Sequence, residues 1–123
     1  MIESAKPDLK VRTKEFALQI IRLYSSLPKT TEAQVIGKQL LRSATSVGAQ
    51  YREAQRAKSD ADFINKVEGS LQELDETGYW LELLNDAGIV ASPKLIPLLK
   101  ETDELTAIFV TVVKKVKSRR TTR

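Results

Sequence analysis

The sequence predicts an all-α protein folded as a single up-down-up-down antiparallel four-helix bundle. Three observations predict it. Apolar residues recur at three- and four-residue spacings in four separate stretches, the signature of one buried helical face. Each stretch begins or ends on residue types that start or stop helices. The gaps between stretches are only a few residues long, which makes consecutive helices antiparallel neighbours. With 41% hydrophobic and 29% charged residues in 123, the chain can bury one core, so residues 1–123 are read as one domain.

The first helix is expected over 9–27, with Val11, Phe16, Ala17, Ile20, Ile21, Tyr24 and Leu27 on its apolar face and Pro28 as its stop. The second is expected over 31–57. Thr31 and Gln34 have the spacing of a capping box, and Val35, Ile36, Leu40, Leu41, Ala44, Val47, Gly48 and Tyr51 follow. Gly37, Ala44 and Gly48 lie near one line along this helix. An interior glycine costs about 1 kcal/mol relative to alanine, so the line predicts close approach of a neighbouring helix or of another subunit.

The third helix is expected over 60–87, capped by Ser59 or Asp60, with acids in its first turn where the helix dipole favours them. Phe63, Ile64, Val67, Leu71, Leu74, Gly78, Leu81 and Leu84 form its apolar face, and Gly88 is a candidate left-handed terminator. The fourth is expected over 93–118, with Ser92 as cap and Pro93 at the first position. Pro97 implies a kinked or delayed start, and 119–123 reads as a frayed basic tail.

Composition excludes several activities. There is no Cys and no His. Disulfides, thiolate metal sites, a Cys nucleophile, a Ser-His-Asp triad and the Glu-x-x-His di-iron sites of other bundles are all ruled out. No apolar run approaches the roughly 20 residues that span a bilayer, and the opening MIESAKPDLK lacks the apolar centre of a signal peptide. The expectation is a cytoplasmic, non-enzymatic protein without cofactor, metal or membrane association.

Charge is distributed unevenly. Residues 60–86 hold eight acids against Lys66 alone, so within a total of +4 the rest of the chain carries +11. The basic residues form two groups. Arg42, Arg52 and Arg56 fall within about 80° on a straight helix, each about 40° from the next around its axis, with Lys38 a turn before Arg42 and Lys58 just after Arg56. Lys114, Lys115, Lys117, Arg119, Arg120 and Arg123 gather at the C-terminus without an intervening acid. Both groups suit phosphate contact, in which Arg offers forked donors. The competing reading pairs the arginines with Glu73, Asp75, Glu76 or Glu82 of the third helix, and leaves the tail as a solvated helix end. No aromatic residue interleaves the C-terminal bases, which argues against stacking recognition of single strands.

Glu68, Asp75 and Glu82 at seven-residue steps, and Glu73 with Glu76, have spacings that suit Mg²⁺ or an acid/base pair. Lacking His partners, they read better as partners for Arg. Tyr79 and Trp80 suit a helix–helix or subunit interface better than a ligand face. Ser43 and Ser46 read as small packing residues.

The strings QLLRSATSVGAQYREAQRAKS (39–59), DFINKVEGSLQELDETGYWLELL (62–84), FALQIIRLYSSLP (16–28) and GIV (88–90) carry a family resemblance. Over about residues 14–112 the chain resembles the bacterial four-helix bundle proteins encoded in intervening sequences of 23S ribosomal RNA genes. Ala44 and Gln50 stand where those proteins often have Gly and Asn. The resemblance implies a cytoplasmic bundle, often a ring-like homopentamer, with no established catalysis. It extends to the accessory variability determinant proteins of diversity-generating retroelements, basic pentamers that associate with nucleic acid and a reverse transcriptase. The expected function is therefore a non-enzymatic oligomer that binds structured RNA or DNA through basic surfaces without strong sequence specificity. The alternative is a protein-interaction scaffold whose charges serve subunit assembly.

Overall fold

The computed structural model describes residues 8–121, and side chains through 120. Four helices follow one another: α1 (Leu9–Ser25), α2 (Thr31–Ala54), α3 (Asp60–Asp86) and α4 (Ser92–Thr121), with no strand among the described residues. The loops 26–30, 55–59 and 87–91 are short, so each helix reverses direction and packs on its predecessor. The α2–α3 seam is the most extensive, followed by α3–α4 and α1–α2; α1 touches α4 only briefly. The bundle is thus built around the acidic third helix.

The apolar stripes meet in one core. Phe16 and Ile20 of α1, Leu40 and Val47 of α2, Leu74 and Leu81 of α3, and Leu105 and Phe109 of α4 are all fully buried. Burial of each such side chain stabilises by roughly 1.5–3 kcal/mol before conformational entropy is charged against it. Polar side chains inside this core are satisfied locally. Thr77 donates its hydroxyl proton to the Glu73 carbonyl (2.8 Å), which leaves Ser43 Oγ to donate to Thr77 Oγ1 (2.9 Å) across the α2–α3 seam. Ser70 Oγ donates to the Val47 carbonyl at 2.9 Å on the same seam.

The predicted small-residue line is explained within one chain. A Cβ on Gly37 would meet Tyr24 of α1 and Leu27 of the loop after it, and one on Gly48 would lie 3.0 Å from Thr13 Oγ1 of α1; Ala44 between them is completely buried. These residues let α1 approach α2 closely. Gly69 of α3 does the same toward Gln50 of α2, a contact that no spacing in the sequence signalled.

Helix ends agree with expectation in kind and differ in detail. The α2 cap is Thr30, whose hydroxyl accepts from the Ala33 N–H, and not Thr31. Gln34 does not close a capping box: its Nε2 donates to the Pro28 carbonyl while its Oε1 accepts from Tyr24 Oη, tying the α1–α2 loop. Helix α2 ends at Ala54, three residues before the expected Ala57. Ser59 caps α3 by accepting from the Asp62 N–H. Gly88 has φ +71° and completes a Schellman motif, donating to the Asn85 carbonyl while the Ile89 N–H donates to Leu84. Ser92 lies inside α4 and donates its hydroxyl to Asn85 Oδ1 instead of capping. Pro97 sits inside α4, where the N–H it lacks would have bonded back to Pro93. Helix α4 continues to Thr121, so Arg119 and Arg120 are helical residues and not a frayed tail; Arg123 lies outside the described residues.

Candidate nucleic-acid interface

Antiparallel order puts the start of α1, the end of α2, the start of α3 and the end of α4 at one end of the bundle. The two basic groups, more than fifty residues apart in sequence, therefore share that end. Contacts fix the register: Arg119 NH2 is 3.6 Å from Asp60 at the first residue of α3, and Lys117 Nζ is 3.3 Å from Glu68 about two turns further in. Between α2, α3 and α4 opens a cleft of about 590 Å³, with Lys58, Lys115 and Arg119 among its lining residues. A neighbouring hollow is lined by Lys10, Arg52, Gln55 and Arg56.

Three acids of this end are engaged. Asp60 holds Arg119, Glu68 holds Lys117, and Glu53 holds Lys66 at 3.0 Å and raises the Lys66 pKa. By contrast, Arg52, Arg56, Lys58, Lys114, Lys115 and Arg120 are exposed and form no ion pair among the described residues. Such an array presents an excess of positive charge, with Asp60 the acid among the lining residues of the cleft, and an excess of that sign suits backbone phosphates.

Arg42 does not belong to this surface. It lies ten residues before Arg52, about 15 Å along the helix axis. Its NH2 contacts Glu76 Oε1 at 2.6 Å and its NH1 lies 3.5 Å from Glu73 Oε1. Glu73 is the more buried acid, and burial raises its pKa, opposed by the positive charge of Arg42 and reinforced by Glu76. The expected structural role of Glu73 and Glu76 is thus filled inside one chain, across the α2–α3 seam. Arg12 plays the corresponding part between α1 and α4, donating to Glu101 at 2.7 and 2.8 Å and to Glu104 at 2.6 Å.

The remaining acids of α3 face elsewhere. Asp75 and Glu82, with Asp103 of α4, line a second groove of about 570 Å³ toward the opposite end. Tyr79 lines it too and is exposed; its ring packs edge-on against Trp80 at 5.0 Å. The Trp80 indole N–H is buried without an acceptor among the described residues. No group of three or more metal-ligating side chains occurs among the described residues, and no helix there is long and apolar enough to cross a membrane.

Two residues of the basic end escaped the sequence reading. Lys10 joins it only because α1 starts where α2 ends, which the bundle order itself could have indicated. Phe63, assigned to the apolar face, also lines the basic cleft, so an aromatic ring does lie among the bases although none interleaves them in sequence.

Comparison with known proteins places this arrangement in a family. The family model described as 23S rRNA-intervening sequence protein matches residues 8–111. A crystal structure of a protein of unknown function from the S23 ribosomal protein family of Bacteroides thetaiotaomicron VPI-5482 is similar throughout. It shares 39% identity with a TM-score of 0.81, over 85% of this chain and 97% of that one. No curated protein matches the chain.

Proposed function

The chain belongs to the 23S rRNA-intervening sequence protein family, and from that premise we propose that it is a non-enzymatic, cytoplasmic, homo-oligomeric bundle that binds structured RNA or DNA through phosphates. One observation carries the reading: exposed bases of α1, of α4 and of the end of α2 with the turn after it, unpaired among the described residues, converge on one end while Asp75 and Glu82 of α3 line a groove elsewhere. Lysine and arginine side chains on helix ends can follow a phosphate backbone but have no fixed groove partner, so the binding is not sequence-specific. The resemblance of its sequence to retroelement accessory proteins supports the same type of partner. Titration of a labelled RNA hairpin and a matched DNA duplex by fluorescence anisotropy across a salt series tests it. The expected result is an affinity that falls log-linearly with salt, with a slope equal to several released counterions. Absence of binding at low salt would refute it.

A second reading, a protein-interaction scaffold, is favoured by the acidic groove with exposed Tyr79 beside a buried, unmatched Trp80 N–H. A partner subunit of a homopentamer, or another protein, would cover the exposed Tyr79 ring and the carboxylates beside it. Light scattering of wild type and Tyr79→Ala distinguishes the two occupants: loss of the oligomer assigns the patch to self-assembly, and an unchanged mass assigns it to another protein.

A further inference from the structure

The cleft between α2, α3 and α4 is not lined by charge alone. Its walls include Ala54, Phe63, Val112 and Val116, and Ala54 and Val116 are buried core residues, so the apolar surface continues from the bundle interior. Lys58 and Lys115 stand among the same lining residues, both exposed and without an ion pair among the described residues. Phosphate groups alone have no use for such an apolar wall, and a fully paired duplex offers only its backbone to an end surface. One unpaired nucleotide has what the cleft has in complement: a flat apolar ring and an anionic phosphate. A volume of about 590 Å³ falls in the range of small-ligand sites.

We infer that this cleft holds a single unpaired nucleotide of the bound nucleic acid, its base against Phe63 and Val112 and its phosphate on Lys58 and Lys115. The inference rests on the nucleic-acid reading above and adds a preference to it: strands with a bulge or a frayed end bind better than uniform duplex. Base–aromatic contact gives that preference without reading base identity, because every base has an apolar face.

Two RNA hairpins test it, identical except for one bulged 2-aminopurine, titrated against wild type, Phe63→Leu and the double variant Lys58→Ala, Lys115→Ala. Wild type is expected to bind the bulged hairpin roughly 5- to 100-fold more tightly than the paired one, with a change in 2-aminopurine fluorescence on binding. Phe63→Leu, which keeps an apolar residue against the core, is expected to bring the ratio of the two affinities to about one. The double variant is expected to weaken both hairpins. Equal affinity of wild type for the two hairpins, or a preference that survives in Phe63→Leu, overturns the inference and leaves phosphate binding standing. Failure of both hairpins to bind removes the broader reading and this one with it. A change of oligomeric mass in Phe63→Leu, with no bulge preference in wild type, would assign the cleft to a second copy of the chain instead.

Discussion

Arg42 and Arg52 lie on α2 and Arg56 in the turn just past its end, yet their surroundings differ completely. Arg42 stands beside the middle of α3, where Glu73 and Glu76 reach it at 3.5 and 2.6 Å. Arg52 and Arg56 stand at the bundle's end, where α3 has just begun and its first acid, Asp60, lies 3.6 Å from Arg119 of α4. The same residue type is part of the scaffold in one place and open to a ligand in the other. What decides is the level along the neighbouring helix at which acids occur.

The middle of the bundle is where substitutions should disturb folding most. Arg42→Ala leaves the buried Glu73 carboxylate without its cation, with only a 3.4 Å contact from Gln50 Nε2. A loss of about 1–2 kcal/mol is expected in denaturant titration, reduced from a fully buried case because Arg42 is itself half-exposed. No change in midpoint would mean that the α2–α3 ion pairs are ornamental and that Arg42 is as available as Arg52.

Gly48→Ala is next. The new methyl would lie 3.0 Å from Thr13 Oγ1, a buried hydroxyl already bonded to the Leu9 carbonyl at 2.7 Å, so Thr13 cannot step aside. A net cost of about 1 kcal/mol is expected, overpacking outweighing the helix propensity gained. Gly69→Ala sharpens the point. Its methyl meets only the tip of the flexible Gln50 side chain, so it should be neutral or stabilising by a few tenths of a kcal/mol. Chemical denaturation of both variants checks the pair; equal losses would show that the α1–α2 approach is no tighter than the α2–α3 approach.

The smallest effect is one of pH. Because burial raises the Glu73 pKa, the folded state holds that proton more tightly than the unfolded chain does. Its contribution to stability is therefore full below the unfolded carboxylate range and is lost as pH rises through the raised folded value. Acidification from neutrality toward the carboxylate range should add stability from this group, and Glu73→Gln should remove that increment. Comparison of wild-type and variant melting curves at the two pH values measures it. An increment that persists in the variant would point to another group.

Much of the fold could be read from the chain because helical periodicity and end signals are local. Phe16 and Ile20, Leu74 and Leu81, and Gly88 behave as their spacing predicts. The errors are local as well: a one-residue shift of the cap from Thr31 to Thr30, and a helix end placed beyond Ala54, both within the range over which competing polar side chains decide a terminus. The candidate site was legible only in part. Lys58, Lys114 and Lys115 were identifiable as basic, but their proximity to Lys10 and Phe63 depends on how four helices align, which no single stretch encodes. The fate of Arg42 depended on the same alignment, as did that of Lys117 and Arg119, which pair with acids of α3.

The most direct test is a comparison of salt slopes for RNA hairpin binding by Arg42→Ala and by the double variant Arg52→Ala, Arg56→Ala. If phosphates are held at the basic end, the double variant loses close to two from the log–log slope, about 0.9 per phosphate contact, and Arg42→Ala keeps the wild-type slope. A slope reduced by Arg42→Ala, or left intact by the double variant, would contradict the division of this helix into a paired middle and an open end.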